Sequence, residues 1–180
     1  MSEAFNKLAN EAADARRENR VSDAQRLWRA AAELSRQSRH RRQLIEALKG
    51  CGQIERDMGD NEKALAFYQE AAALCREEHD ALLLAHTVRH LGDVYRSAGK
   101  LDAAESSYEE ALRIYRNHQE AAPLDFANAL RPMALLKEQK GQADAAKPIW
   151  EEARRLYEAA NVSEGVAESS KRLERLAAKR

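Results

Sequence analysis

The sequence predicts an all-α protein, a stack of four helical hairpins closed by one C-terminal helix. Three observations carry this reading. Ala, Glu, Lys, Leu and Arg make up 106 of the 180 residues, above the roughly half that marks long-helix proteins. Only three prolines and seven glycines interrupt the chain, and aromatic residues amount to 6%, too few turn and strand formers for a sandwich, a barrel or a Gly-rich α/β enzyme. The third observation is an internal repeat.

Four segments align on one another: DAQRLWRAAAEL (23–34), KALAFYQEAAAL (63–74), AAESSYEEALRI (103–114) and AAKPIWEEARRL (145–156). Ala24, Ala64, Ala104 and Ala146 head the alignment, separated by 40, 40 and 42 residues. Four positions on stands Trp28, Tyr68, Tyr108 or Trp150, then Ala31, Ala71, Ala111 or Ala153, then Leu34, Leu74, Ile114 or Leu156. Offsets of four, three and three put these residues on one helix face, small alternating with large, as close helix packing requires.

Gly59, Gly99 and Gly141, with Asn19 in the first copy, stand five residues ahead of each leading alanine. Gly and Asn tolerate the left-handed C-cap of a helix, so each copy reads as helix A, a stop, then helix B. The helix-A stretches carry their own apolar and small residues: Leu8 and Ala12; Leu48, Cys51 and Gly52; Val88, Leu91, Gly92 and Tyr95; Leu130, Met133 and Ala134. Ala12, Gly52, Gly92 and Ala134 each lie 12 before the leading alanine, where two helices can approach closely. Val166, Ser170, Leu173 and Ala177 continue the helical spacing in a ninth helix over 163–179, with one wet face suited to capping a stack.

The order Gly92-Asp93-Val94-Tyr95, Gly99, Ala104, Tyr108, Ala111-Leu112 resembles the tetratricopeptide repeat signature. The match extends along the whole chain (1–180) as one domain, with repeats at about 5–39, 45–79, 85–119 and 127–160. Glu55, Ala15 and Lys137 depart from the pattern where a helix-A tyrosine is usual. The period exceeds the roughly 34 residues of the common repeat, and in this it is similar to the repeats of kinesin light chains and of GoLoco-binding scaffold proteins. Pro123-Leu124-Asp125-Phe126-Ala127 also resembles the start of a kinesin light chain repeat. The resemblance implies a right-handed αα superhelix, A helices lining a concave groove, and a non-catalytic module that binds a protein or peptide. It implies no cofactor.

By the same resemblance, groove positions fall on Lys49, Gln53 and Arg56 in repeat two, His86, Arg89 and Arg96 in repeat three, and Asn128 and Arg131 in repeat four. Lys49, Arg89 and Arg131 share one register position. A line of cations on successive repeats favours an acidic peptide or a C-terminal carboxylate. The paired asparagines of kinesin light chains are replaced here by Lys49-Gly50, Arg89-His90 and Arg131-Pro132, and the carboxylate-clamp pattern of the family is not intact. The second expectation is a self-associating or bridging subunit, such as a homodimer, using its convex face or ends, with Phe67 and Ile149 as the apolar residues to watch.

Other chemistry is weakly signalled. His86 and His90 have metal-ligand spacing but no carboxylate between them; no metal is expected. Cys51 and Cys75 read as small buried hydrophobes. Thirty basic residues balance thirty acidic ones, so no global field recruits nucleic acid or an anionic membrane. The basic run Arg36, Arg39, His40, Arg41 and Arg42 lacks the aromatics that stack on bases. Mean hydropathy is −0.73 and no apolar run approaches 18 residues, so no membrane span and a cytoplasmic location are expected. Pro132, inside helix A of repeat four, predicts a kink or break there, and Pro148 falls early in the next helix.

Overall fold

A computed structural model of the chain describes residues 2–178. Among them it holds nine α-helices and no strand: α1 (Glu3–Arg17), α2 (Val21–Gln37), α3 (Arg41–Asp57), α4 (Asn61–Glu77), α5 (Ala81–Ser97), α6 (Leu101–Asn117), α7 (Pro123–Gln139), α8 (Ala143–Ala159) and α9 (Ser163–Ala177). Odd-numbered helices are the A helices of the repeats and even-numbered ones the B helices. Each helix packs on the next, and α5 also touches α7. The chain is a helical-hairpin solenoid. Lys179, placed in the last helix by the sequence reading, lies outside the described residues.

The turns follow from backbone chemistry. Asn19, Gly59, Gly99 and Gly141 all have positive φ, between 60° and 82°. At Gly99 the stop is closed by Gly99 N–H donating to Arg96 O at 3.1 Å and Lys100 N–H donating to Tyr95 O at 2.9 Å, which satisfies carbonyls the helix end leaves bare. The B-to-A joints use the same device with less suitable residues: Arg39, His79 and Asn161 sit at φ 57°, 54° and 56°. The third joint differs. Its two extra residues run extended through His118, and α7 then starts on Pro123, where a proline loses no hydrogen bond.

The repeated residues form the core. Ala24, Ala64, Ala104 and Ala146 are fully buried, as are Ala31, Ala71, Ala111 and Ala153. The tyrosine ring of each central B helix lies flat on a glycine of its own A helix. A Cβ added at Gly52 would stand 2.7 Å from the Tyr68 ring, and one at Gly92 would stand 2.6 Å from Tyr108. The next A helix closes over the other side of the ring. Trp28 is covered by Gly50, Tyr68 stacks with His90 at 5.7 Å between centroids, and Trp150 lies under the Arg172 guanidinium at 5.9 Å.

Where the tyrosine of the repeat pattern is missing, the preceding B helix compensates. The buried Glu55 carboxylate accepts hydrogen bonds from Arg29 at 2.8 Å and Gln25 at 2.9 Å. Lys137, in the same register, pairs with Glu105 of α6. Between them Tyr95 keeps the usual residue and accepts from Gln69 at 3.2 Å. Successive B helices are further joined by three ion pairs in one register: Arg36–Glu70, Arg76–Glu110 and Arg116–Glu152, at 2.8, 2.9 and 2.9 Å. Each is worth about 0.2–1 kcal/mol at such exposure.

α9 departs from the preceding A helices at one packing position. The small residue of the A helices, Gly52, Gly92 and Ala134, becomes Glu174 in α9 and is exposed. A glutamate there offers no seat like the one Gly52 and Gly92 give to Tyr68 and Tyr108. The break or kink expected at Pro132 is corrected in part: α7 runs unbroken from Pro123 to Gln139. A proline here removes one helix hydrogen bond and crowds the carbonyl four residues back, yet Pro132 is buried in the register where Gly50 and His90 lie against Trp28 and Tyr68. The register of repeat four holds, since Leu130, Ala134, Ala146 and Trp150 are all fully buried.

Two kinds of glycine predict two kinds of damage. Gly99 has open space around its Cβ position, so Gly99→Ala costs only the left-handed backbone, about 1–2 kcal/mol. Gly92→Ala gains helix propensity but presses on Tyr108, and overpacking of about 1–3 kcal/mol outweighs it. Urea unfolding of both variants checks this. An unchanged midpoint for Gly92→Ala would contradict the close contact.

Candidate functional site

The A helices place five of the eight sequence-predicted groove residues around one polar cavity of about 410 Å³. Arg56 comes from α3, Arg89 and Arg96 from α5, and Asn128 and Arg131 from α7; Asp93, Ser97 and Pro132 complete the wall. Lys49, Gln53 and His86 do not line it.

Asp93 organises the centre. Its Oδ2 lies 3.5 Å from Arg56, 3.4 Å from Arg89 and 3.4 Å from His90, while its Oδ1 accepts the Tyr108 hydroxyl at 2.9 Å. Burial disfavours the charge on Asp93, but the His90, Arg89 and Tyr108 contacts outweigh burial and hold its carboxyl below the usual range. Arg131 points toward the end of the stack, where Glu168 of α9 accepts from its Nε at 2.6 Å and its Nη2 at 3.1 Å. Arg96 has no carboxylate within ion-pair distance among the described residues, and its enclosed Nε makes no hydrogen bond. The line of cations shared by Lys49, Arg89 and Arg131 is therefore one register with three settings. Lys49 also has no ion pair among the described residues, and burial holds its ammonium below the ordinary range.

His86 does not act as a groove cation. Burial, with Lys49, His90 and Arg89 nearby, pushes it down to about 2. Burial takes His90 down to about 4 against the pull of Asp93. The two rings meet edge to face at 4.8 Å. Among the described residues no group of three or more His, Cys, Asp or Glu side chains is arranged to hold a metal ion. Cys51 and Cys75 are buried thiols, Cys51 pushed up to about 12 by burial.

Sequence reasoning missed the pairing partners. Asp93 was legible only as a groove position, and α9 only as the helix that caps the stack. Glu168 seats Arg131, while Arg172 and Arg175 hold Glu138, which also accepts from Trp150 Nε1 at 2.7 Å. Lys171 continues the Lys49, Arg89, Arg131 register by a further 40 residues. That spacing was the available signal.

Residues 52–117 match the family model of the tetratricopeptide repeat. The solved structures agree over nearly all of the chain. BtubC (BKLC) from P. vanneervenii superposes with a TM-score of 0.78 at 20% identity over 87% of this chain and 64% of its own. The nearly identical TPR-like repeats of a candidate kinesin light chain from Podosopora anserina give 0.72 at 13% identity over 99% and 98%. The chain has a tetratricopeptide-repeat fold. A Rap protein complexed with competence and sporulation factor gives a TM-score of 0.83 at 14% identity, over 94% of this chain and 47% of that one. The chain thus spans less than two thirds of the length of BtubC and under half of that Rap protein. No curated protein matches the sequence. The tetratricopeptide-repeat fold here contains no helix long and apolar enough to cross a membrane among its described residues.

The neutral histidines predict a pH dependence. Unfolded histidine takes a proton near pH 6.5, while the folded His86 and His90 resist protonation down to about 2 and about 4. The unfolded chain binds more protons in that window, so stability is full above pH 6.5 and falls as pH drops from there toward 4. Each histidine contributes a slope of about 1.4 kcal/mol per pH unit. Denaturant midpoints between pH 7.5 and 5 check it, and His86→Gln flattens the slope by about one proton. A flat profile in the wild type would contradict the burial of both rings.

Proposed function

We propose that this protein is a non-catalytic, cytoplasmic interaction module that binds an acidic segment of a protein partner in its concave groove. The observation that carries the reading is the cavity where Arg56, Arg89, Arg96 and Arg131 from three successive A helices face one lining carboxylate, Asp93. On the outer face Arg36, Arg76 and Arg116 each pair with their own glutamate. The groove thus carries a positive excess on a chain whose net charge is zero, and the balancing negative charge lies elsewhere on the chain.

Half-buried guanidinium groups bind carboxylates more strongly than surface ones. A charged hydrogen bond contributes about 1.5–3 kcal/mol net, so three or four approach the roughly 8 kcal/mol of a micromolar complex. A Rap protein of the same fold is itself complexed with a factor, which supports partner binding as a use this architecture allows. Phe67 and Ile149, the apolar residues that self-association would cover, are partly exposed and partly packed against their own core, so the groove carries the reading and the bridging alternative stands second.

Fluorescence anisotropy with labelled Asp/Glu-rich and Lys/Arg-rich peptide pools tests the reading. The acidic pool binds, weakens as salt rises, and loses at least about ten-fold in affinity with Arg89→Glu plus Arg131→Glu. Equal binding of both pools, or binding indifferent to the double variant, would remove the groove from consideration.

A further inference from the structure

The same cavity carries an unbalanced charge of a particular size. Four guanidinium groups face it, and two carboxylates answer them, Asp93 and Glu168. Widening the circle does not lower the excess: at one end Glu168 is shared with Arg172, which with Arg175 holds Glu138, so one more acid there comes with two more bases. Asp57 lies 3.8 Å from Arg56 but is occupied by Arg16 at 2.7 Å, so one more acid brings one more base. His86 and His90 are neutral and add nothing. At least two positive charges remain.

Their positions are identifiable. Arg96 has no acid within ion-pair distance among the described residues, and its Nε is enclosed without a hydrogen bond. Arg56 and Arg89 share a single oxygen of Asp93 at 3.5 and 3.4 Å, longer than the roughly 2.7–2.9 Å of a charge-assisted hydrogen bond. The other Asp93 oxygen is taken by Tyr108. Asn128 accepts the Tyr157 hydroxyl through Oδ1 at 3.0 Å, which leaves its amide hydrogens as donors. The wall therefore offers two uncompensated charges with guanidinium forks and one amide donor.

We propose that this cavity is a phosphate-monoester site, which takes a phosphorylated side chain of the partner segment. The proposal rests on the groove reading above. A phosphate monoester carries a charge of about −1.5 to −2 at neutral pH and three acceptor oxygens, matching the two uncompensated charges and, with the Asn128 amide, the donors on the wall. An aspartate or glutamate brings one charge and two oxygens and leaves a half-buried guanidinium uncompensated. The cavity, about 410 Å³, is large enough for the phosphate together with the side chain that bears it.

Three degenerate peptide pools, identical except for a central phosphoserine, glutamate or serine, are passed over the immobilised full-length protein. Inorganic phosphate is then used as competitor against chloride at matched ionic strength. The phosphoserine pool is retained about ten-fold more than the glutamate pool, and inorganic phosphate displaces it. Arg96→Gln, and separately the more exposed Arg131→Gln, bring the two pools close to equal, while Arg36→Gln on the outer face changes nothing. Equal retention of phosphoserine and glutamate pools, both above serine, overturns the phosphate site and keeps the acidic groove. No pool above serine overturns both. A phosphoserine preference that survives both arginine variants places it elsewhere and overturns the assignment, as does phosphate binding without peptide preference.

Discussion

Everything in this structure hangs on aromatic rings held between two A helices. Gly52 and Gly92 let the Tyr68 and Tyr108 rings lie against their own hairpins at distances a methyl group would forbid. His90 and Arg172 cover the Tyr68 and Trp150 rings from the following repeat, and Gly50 does so for Trp28. Each ring thus fixes both the closure of one hairpin and its distance to the next. Close packing of this kind tolerates little change of volume, so the spacing of the A helices, and with it the width of the groove, is set by the core.

The polar tips of the same aromatics connect core to groove. Tyr108 ends on Asp93, Tyr157 on Asn128 and Trp150 on Glu138. Buried Tyr and Trp need such partners, and here the partners are groove residues. The core therefore orients the Asp93 carboxylate around which Arg56 and Arg89 gather. On the opposite side of the hairpins the arginines are spent on a ladder of glutamates. Zero net charge conceals an arginine-rich inner face that is balanced by negative charge elsewhere on the chain.

Much of the fold was legible because packing acts on residue size at a fixed interval. The 40-residue spacing of Ala64, Tyr68 and Ala71 with Ala104, Tyr108 and Ala111 survives because each must fit the same space. The stops at Gly59, Gly99 and Gly141 were legible for a similar reason, since few residues accept their backbone. Arg39 and His79 occupy the same left-handed conformation, yet nothing in their chemistry announces it. Five groove residues could be placed by register. What each faces could not, because Asp93 and Glu168 are supplied by geometry between helices and not by spacing along one. His86 looked like a groove cation, but its partly buried ring has an enclosed Nδ1 and stands among Lys49, Arg89 and His90, which disfavour its charge. Glu55 and Lys137 looked like losses of the repeat pattern, but each found its counter-charge on the preceding B helix.

The most direct measurement is an arginine Nε–Hε correlation spectrum of the full-length protein, assigned by single substitutions and titrated with the acidic peptide pool. The account predicts that the Arg56, Arg89, Arg96 and Arg131 signals shift together in one saturable step, while those of Arg36, Arg76 and Arg116 stay in place. Shifts confined to the outer ladder, or small shifts spread evenly over all arginines, would contradict it.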